Sequence, residues 1–125
     1  MYEQIETEHA PLPIGPYSQA IRANGFIFVS GQIPMDPETG TMVTGKAGEQ
    51  TRQVMKNIAA ILESAGSGLQ KLVKTTIFLT SLEDFSEVNR VYAECLGDVK
   101  PARATVEVSR LPRDARVEIE AIALA

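Results

Sequence analysis

Between residues 101 and 123 the chain twice alternates polar with apolar residues, and this alternation limits what it can fold into. In residues 103–108, Arg103, Thr105 and Glu107 oppose Ala104, Val106 and Val108. In residues 116–121, Arg116, Glu118 and Glu120 oppose Val117, Ile119 and Ala121. A strand sends successive side chains to opposite faces, so each segment reads as a strand with one apolar and one ionised face. Such faces suit the wet side of an antiparallel sheet. They also suit chemistry, because a guanidinium offers a planar fork to a carboxylate and a glutamate can move protons.

The rest of the chain supplies more strands and only two helical stripes. Residues 2–8 predict a short edge strand. Pro11, Pro13, Gly15 and Pro16 then force an irregular loop that ends at Tyr17. A strand over 18–22 and the hairpin chemistry of Asn24-Gly25 lead into FIFVSGQI, and MDPETGTM reads as a turn-rich break. Residues 46–65 predict the first helix, with Thr51, Val54, Ile58, Ile61, Leu62 and Ala65 at three- and four-residue steps and Gly66 ending it. LVKTTIFLT, 72–80, reads as a strand. The second helix is predicted to begin after Ser81 as N-cap, with Asp84 in a capping-box position, and to carry the stripe Phe85, Val88, Tyr92, Cys95 and Leu96. The order β-β-β-α-β-α-β-β predicts an α+β fold with both helices on one face of a mixed sheet. Two helices cannot cover both faces. The second face, expected to carry the ionised residues, must meet water or another subunit, which points to an oligomer.

A chain of 125 residues suits one domain, 1–125. Its net charge is −4 and its twelve Lys and Arg are scattered, which argues against a nucleic-acid surface. The single cysteine, Cys95, allows no intrachain disulfide and fits a reducing compartment. No apolar run approaches the ~20 residues of a membrane span, and the acidic N-terminus has no signal-peptide core, so a cytoplasmic protein is expected. There is no HxH, HExxH or CxxC pattern and no phosphate-binding glycine loop, so neither metal nor cofactor is expected.

Four ordered segments carry a resemblance: IGPYSQAI at 14–21, VSGQIP at 29–34, FSEVNRVY at 85–92, and the run from Pro101 to Ala123 with its Pro-Ala-Arg opening and apolar-Glu-Ile strand. Together they resemble the RidA/YjgF family of enamine/imine deaminases, and the likeness extends from about Ile5 to Ala123. The resemblance implies a chorismate-mutase-like fold and a homotrimer with ligand clefts between subunits. It also implies cofactor-free hydrolysis of 2-imino acids, such as 2-iminobutanoate and 2-iminopropanoate, to 2-keto acids and ammonia.

On that resemblance Arg103 would grip the substrate carboxylate through two parallel hydrogen bonds, whereas otherwise it reads as a surface or subunit ion pair. Glu118 would orient or deprotonate the attacking water, or relay a proton to the departing ammonia. Burial would raise its pKa and a nearby Arg103 would lower it. Glu120 shares its face but lies off the family's position. Asn89, at the edge of the second helix stripe, needs a polar partner, either a ligand or a backbone group. Tyr17 emerges from a Gly-Pro turn to cap a pocket or to pack on the sheet. Ser30 and Gly31 would offer backbone groups to substrate, since glycine permits close approach. Thr105 departs from the family, whose most familiar members carry cysteine there; backbone contacts would survive the change, but any role for a thiol would not. A different class of function, a keto-acid-binding regulatory trimer without turnover, would use the same cleft. An RNA-directed or chaperone-like activity, attributed to some relatives, sits badly with the acidic charge.

Overall fold

The computed structural model describes residues 2–125. Strand β1 (Glu3–Ile5) pairs antiparallel with β2 (Ala20–Ala23), which turns back onto β3 (Phe26–Gln32). Asn24 and Gly25, at φ 52° and 82°, make that turn, as a two-residue hairpin requires of both central residues. The segment predicted only as a break contains a small hairpin of its own, β4 (Met35–Asp36) with β5 (Thr41–Met42). Asp36 stabilises it locally, its carboxylate accepting the Glu38 N–H at 2.9 Å.

Helix α1 (Ala47–Ser64) turns Thr51, Val54, Met55, Ile58, Ile61 and Leu62 inward, the predicted stripe with Met55 added and Ala65 falling outside the helix as its C-cap. At its C-terminus Ser67 N–H donates to Leu62 C=O at 2.9 Å and Gly66 adopts φ 79°, a glycine-dependent closure. Arg22 adds a charged cap, Nη2 donating to Ala65 C=O at 2.7 Å. At the other end Lys46 supplies no side-chain cap; the Glu87 carboxylate accepts the Gly48 N–H instead, at 2.9 Å.

After β6 (Leu72–Leu79) a short turn, Leu82–Asp84, precedes α2 (Phe85–Leu96). Ser81 therefore caps that turn, its Oγ accepting from Glu83 N–H at 3.2 Å, and not the helix itself. The expected capping box does not form: the carboxylate bound in the turn is Glu107, which accepts the Leu82 N–H at 2.9 Å, while Asp84 faces Arg116 at 4.0 Å.

Strands β7 (Ala102–Glu107) and β8 (Val117–Leu124) complete a six-stranded sheet in the order β1-β2-β3-β8-β6-β7. Only β6 and β7 run parallel, joined by α2 as crossover. Both helices lie over one face, where Ile27, Val29, Ile77, Leu79, Val117 and Ile119 meet Val54, Ile58, Ile61, Leu62 and Val88.

The opposite face is bare, as expected, but its composition differs from expectation. It carries Phe26, Phe28, Val106 and Leu124, each more than a third exposed, beside Glu118 and Glu120. Register explains the difference. Thr75 lies opposite Arg103 and Ile77 opposite Thr105, so the ionised side of β7 faces the helices. Phe78 lies opposite Glu118 and Thr76 opposite Glu120, so the ionised side of β8 faces away from them. The two alternating segments are out of phase, and Arg103 and Glu118 stand on opposite faces of one sheet.

Candidate functional site

Arg103 enters β7 two residues after Pro101, and its guanidinium reaches across α2. Its Nη1 donates to Asn89 Oδ1 at 2.7 Å. Its Cζ lies 5.3 Å from the centre of the Tyr92 ring and 5.7 Å from that of Phe85. An aromatic face attracts a cation through its quadrupole, so the two rings and the amide together fix the fork. Tyr92 is itself fixed by a 2.6 Å hydrogen bond with the Thr75 hydroxyl. Burial pushes the Tyr92 phenol up, against the pull of that bond and of the Arg103 charge. Asn89 thus has a side-chain partner, an outcome outside the two predicted. The guanidinium has no other protein partner among the described residues and faces a cleft of about 190 Å³ that Asn89, Tyr92, Lys100 and Pro101 also line. Thr105 follows on the same side, half-buried, its hydroxyl oxygen enclosed and without a hydrogen-bond partner.

A second group of predicted residues gathers elsewhere. The ladder between β3 and β8 is irregular between Val29 and Gln32, and Gly31 sits within that irregularity. A side chain there would run into the Glu118 carboxylate. Glycine leaves the Glu118 carboxylate the space that a Cβ would fill, so a larger residue here would displace that carboxylate. Burial raises the Glu118 pKa above the usual carboxylate range, and the negative charge of Glu120 pushes it the same way. Arg103, on the far side of the sheet, is not among the causes, so the lowering expected from it is absent. Ser30 donates its hydroxyl to Ser18 C=O at 2.6 Å and its N–H to Gln19 C=O at 2.9 Å, while its own C=O accepts from Gln32 Nε2 at 3.2 Å, so its backbone is tied into this corner of the fold. Tyr17, 55% exposed, and Gly31 line a cleft of about 210 Å³ walled by Leu12, Ile14, Ile33 and Met35.

The seven predicted residues therefore fall into two sets. Arg103, Asn89 and Thr105 lie on the helix side at the β7 edge. Tyr17, Ser30, Gly31 and Glu118 lie about the end of β3, with Glu118 on the bare face.

Two supporting residues escaped the sequence reading. Gln19 is fully buried; its Oε1 accepts from Thr7 N–H at 2.7 Å and its Nε2 donates to the carbonyls of Thr7, Ala10 and Pro11 at 2.8–3.2 Å. It anchors the proline-rich loop that presents Tyr17, and its position within IGPYSQAI was the available signal. Tyr92 read as core stripe, yet it lies three residues from Asn89 on the same helix face and carries Arg103 with it. Among the described residues no three His, Cys, Asp or Glu side chains gather as metal ligands, and no helix is long and apolar enough to cross a membrane.

Comparison with known proteins places this geometry in context. The family model described as Endoribonuclease L-PSP matches residues 7–125. A RutC family protein of Pyrococcus horikoshii, PH0854, is 58% identical over 98% of both chains. Reactive Intermediate Deaminase A, chloroplastic, of Arabidopsis thaliana is 47% identical over 97% of this chain and 65% of its own length. Among solved structures, Escherichia coli TdcF with bound serine superposes with a TM-score of 0.94 at 40% identity, covering 98% of each chain.

Proposed function

The chain belongs to the RidA/YjgF/RutC family, and from that premise we propose that it hydrolyses reactive 2-imino acids and their enamine tautomers, such as 2-iminobutanoate and 2-iminopropanoate. The products are 2-keto acids and ammonia, and the role is removal of damaging intermediates. The observation that carries the reading is the Gly31–Glu118 contact. It holds a carboxyl with a raised pKa against backbone that no side chain crowds.

In the proposed reaction Arg103, steadied by Asn89, Tyr92 and Phe85, binds the substrate carboxylate bidentately. Backbone groups at Gly31 and Thr105 hold the imine end, and Tyr17 closes the pocket. Glu118 accepts a proton as water attacks the imine carbon, so that a C–O bond forms while the C=N π pair moves to nitrogen. The carboxylic acid then returns that proton to nitrogen, giving a carbinolamine. Glu118 next takes the proton of the carbinolamine hydroxyl and passes it to nitrogen as the C–N bond breaks, so that ammonia leaves and a carbonyl remains. The sum is addition of water and loss of ammonia, with no change that calls for an electron acceptor. Positioning and acid–base help of this kind suit a reaction with a low intrinsic barrier.

Arg103 and Glu118 are on opposite faces of one chain, so the reading requires two copies. One subunit contributes Arg103, Asn89 and Thr105; its neighbour contributes Tyr17, Gly31 and Glu118. A homotrimer with three such clefts satisfies this and covers the bare face.

A second reading, a keto-acid-binding regulator, is favoured by one observation: TdcF, a relative, was solved with serine bound. The ribonuclease in the family's description finds little support in a net charge of −4 without a basic stripe.

The test couples a purified threonine dehydratase to the protein and follows imine decay against keto-acid formation. Acceleration is expected, and Arg103→Lys, which keeps the charge but loses the fork, is expected to reduce kcat/KM by at least ~2 kcal/mol equivalent in a folded protein. No acceleration, with 2-ketobutyrate still bound, selects the regulator.

A further inference from the structure

The cleft lined by Tyr17 and Gly31 has one charged side chain at its rim, and that side chain has no partner elsewhere among the described residues. Arg113 lines the cleft from the turn Pro112–Asp114, between β7 and β8. The sequence contains seven arginines. Arg22 pairs with Glu3, Arg52 and Arg90 with Glu94, Arg110 with Asp114 and Arg116 with Asp84, while Arg103 holds Asn89. Arg113 alone has neither an ion pair nor a hydrogen bond among the described residues.

Its backbone is unusual too. Arg113 (φ 57°, ψ 30°) and Asp114 (φ 57°) are consecutive non-glycine residues in the left-handed region. Residues with a Cβ occupy that region at a cost, and such strain persists where surrounding structure enforces it. The turn thus presents Arg113 in a fixed direction of the backbone, while the neighbouring carboxylate of Asp114 is engaged with Arg110 at 3.7 Å.

Around this cation Leu12, Ile14, Ile33 and Met35 form apolar walls, and the lining amides of Gln19 and Gln32 donate to backbone carbonyls. A volume of about 210 Å³ corresponds to roughly seven waters, at about 30 Å³ each. That holds a side chain of a few atoms and excludes a nucleotide. An apolar slot with an unpartnered fork at its rim fits a short methylene chain ending in an acid.

We propose that this cleft receives the side chain of the substrate and that Arg113 recognises a carboxylate at its end, making five-carbon dicarboxylic 2-imino acids substrates of the protein. The inference rests on the deaminase reading above and adds a substrate class to it. Arg113 is a specificity-determining residue, remote from the reacting carbon, so its loss acts on binding of one substrate class and leaves the chemistry intact.

The test compares 2-iminobutanoate, released by threonine dehydratase, with 2-iminoglutarate, released from glutamate by an amino-acid oxidase. Binding of 2-ketobutyrate and 2-ketoglutarate is measured by calorimetry alongside. Arg113→Gln is expected to lower kcat/KM for 2-iminoglutarate ~10-fold or more, through KM, in line with loss of a charge-assisted bond. Turnover of 2-iminobutanoate should stay within about two-fold, and Arg113→Lys should recover part of the loss. Unchanged thermal melting would show both variants folded. The proposal is overturned if the wild type hydrolyses 2-iminobutanoate and ignores 2-iminoglutarate, or if Arg113→Gln affects both substrates alike or neither. If no imine is hydrolysed, the deaminase reading has failed, and calorimetry then decides this one separately. Binding of 2-ketoglutarate that Arg113→Gln weakens upholds the recognition site, and its absence overturns it.

Discussion

Glu118 and Glu120 are the same residue type on the same face of β8, and their surroundings separate them. Glu120 is exposed; Glu118 is half-buried against Gly31, and burial raises its pKa. A carboxyl that serves as base must be ionised, so a raised pKa moves the acidic limb of the rate profile above the usual carboxylate range. Activity should fall as pH drops through that raised value. Glu118→Gln should depress turnover ~10²-fold and remove the limb, while keto-acid binding remains measurable. Glu120→Gln should leave turnover close to normal. Steady-state kinetics across pH check both, and equal turnover in Glu118→Gln and the parent would displace Glu118 from the mechanism. At this scale the sequence nominates candidate side chains but does not say which of them meet. Alternation assigns residues to one of two faces within a strand. It does not say whether two strands are in phase, because that depends on register. The occupant of the space at Gly31 was invisible for the same reason.

Helix α1 ends where the sequence places its glycine, and that ending can be tested in isolation. Gly66 adopts φ 79°, and a Cβ there would meet nothing within 4 Å. Gly66→Ala therefore adds no clash and tests the backbone alone. We expect a loss of ~1 kcal/mol, read as a lower urea midpoint at unchanged m-value. Elements of this length were legible because their stripes repeat over several turns and their ends carry glycine. The small β4–β5 hairpin was not, since two-residue strands have no period to detect. The start of α2 moved from Ser81 to Phe85 because a tighter turn, bound by Glu107 from a distant strand, took the capping residue. Gln19 was missed because its four partners are backbone groups of an irregular loop, so that its place within IGPYSQAI marked the residue but not what it binds.

The bare sheet face sets the behaviour of the whole molecule. Phe26 and Phe28 lie there with ring centres 6.3 Å apart, beside Val106 and Leu124. Apolar patches of this kind on one side of a sheet are rare in monomers. The parent should scatter light as three copies of 13.6 kDa. Phe28→Glu, on an exposed position, should give a folded monomer without deaminase activity; a stable parent monomer would remove the shared cleft. The bareness of this face was foreseen by counting helices, although the charges expected on it proved to be mostly aromatic and aliphatic. The opposed orientation of Arg103 and Glu118 has a genetic consequence. If each cleft draws one residue from each of two neighbours, two inactive alleles can repair one another. Arg103→Lys and Glu118→Gln proteins, each strongly impaired alone, should regain activity when unfolded together and refolded as a mixture. With equal amounts, about a quarter of the clefts would inherit a sound residue on both sides. A cell carrying both alleles would then be protected, although neither copy of the gene encodes a working enzyme.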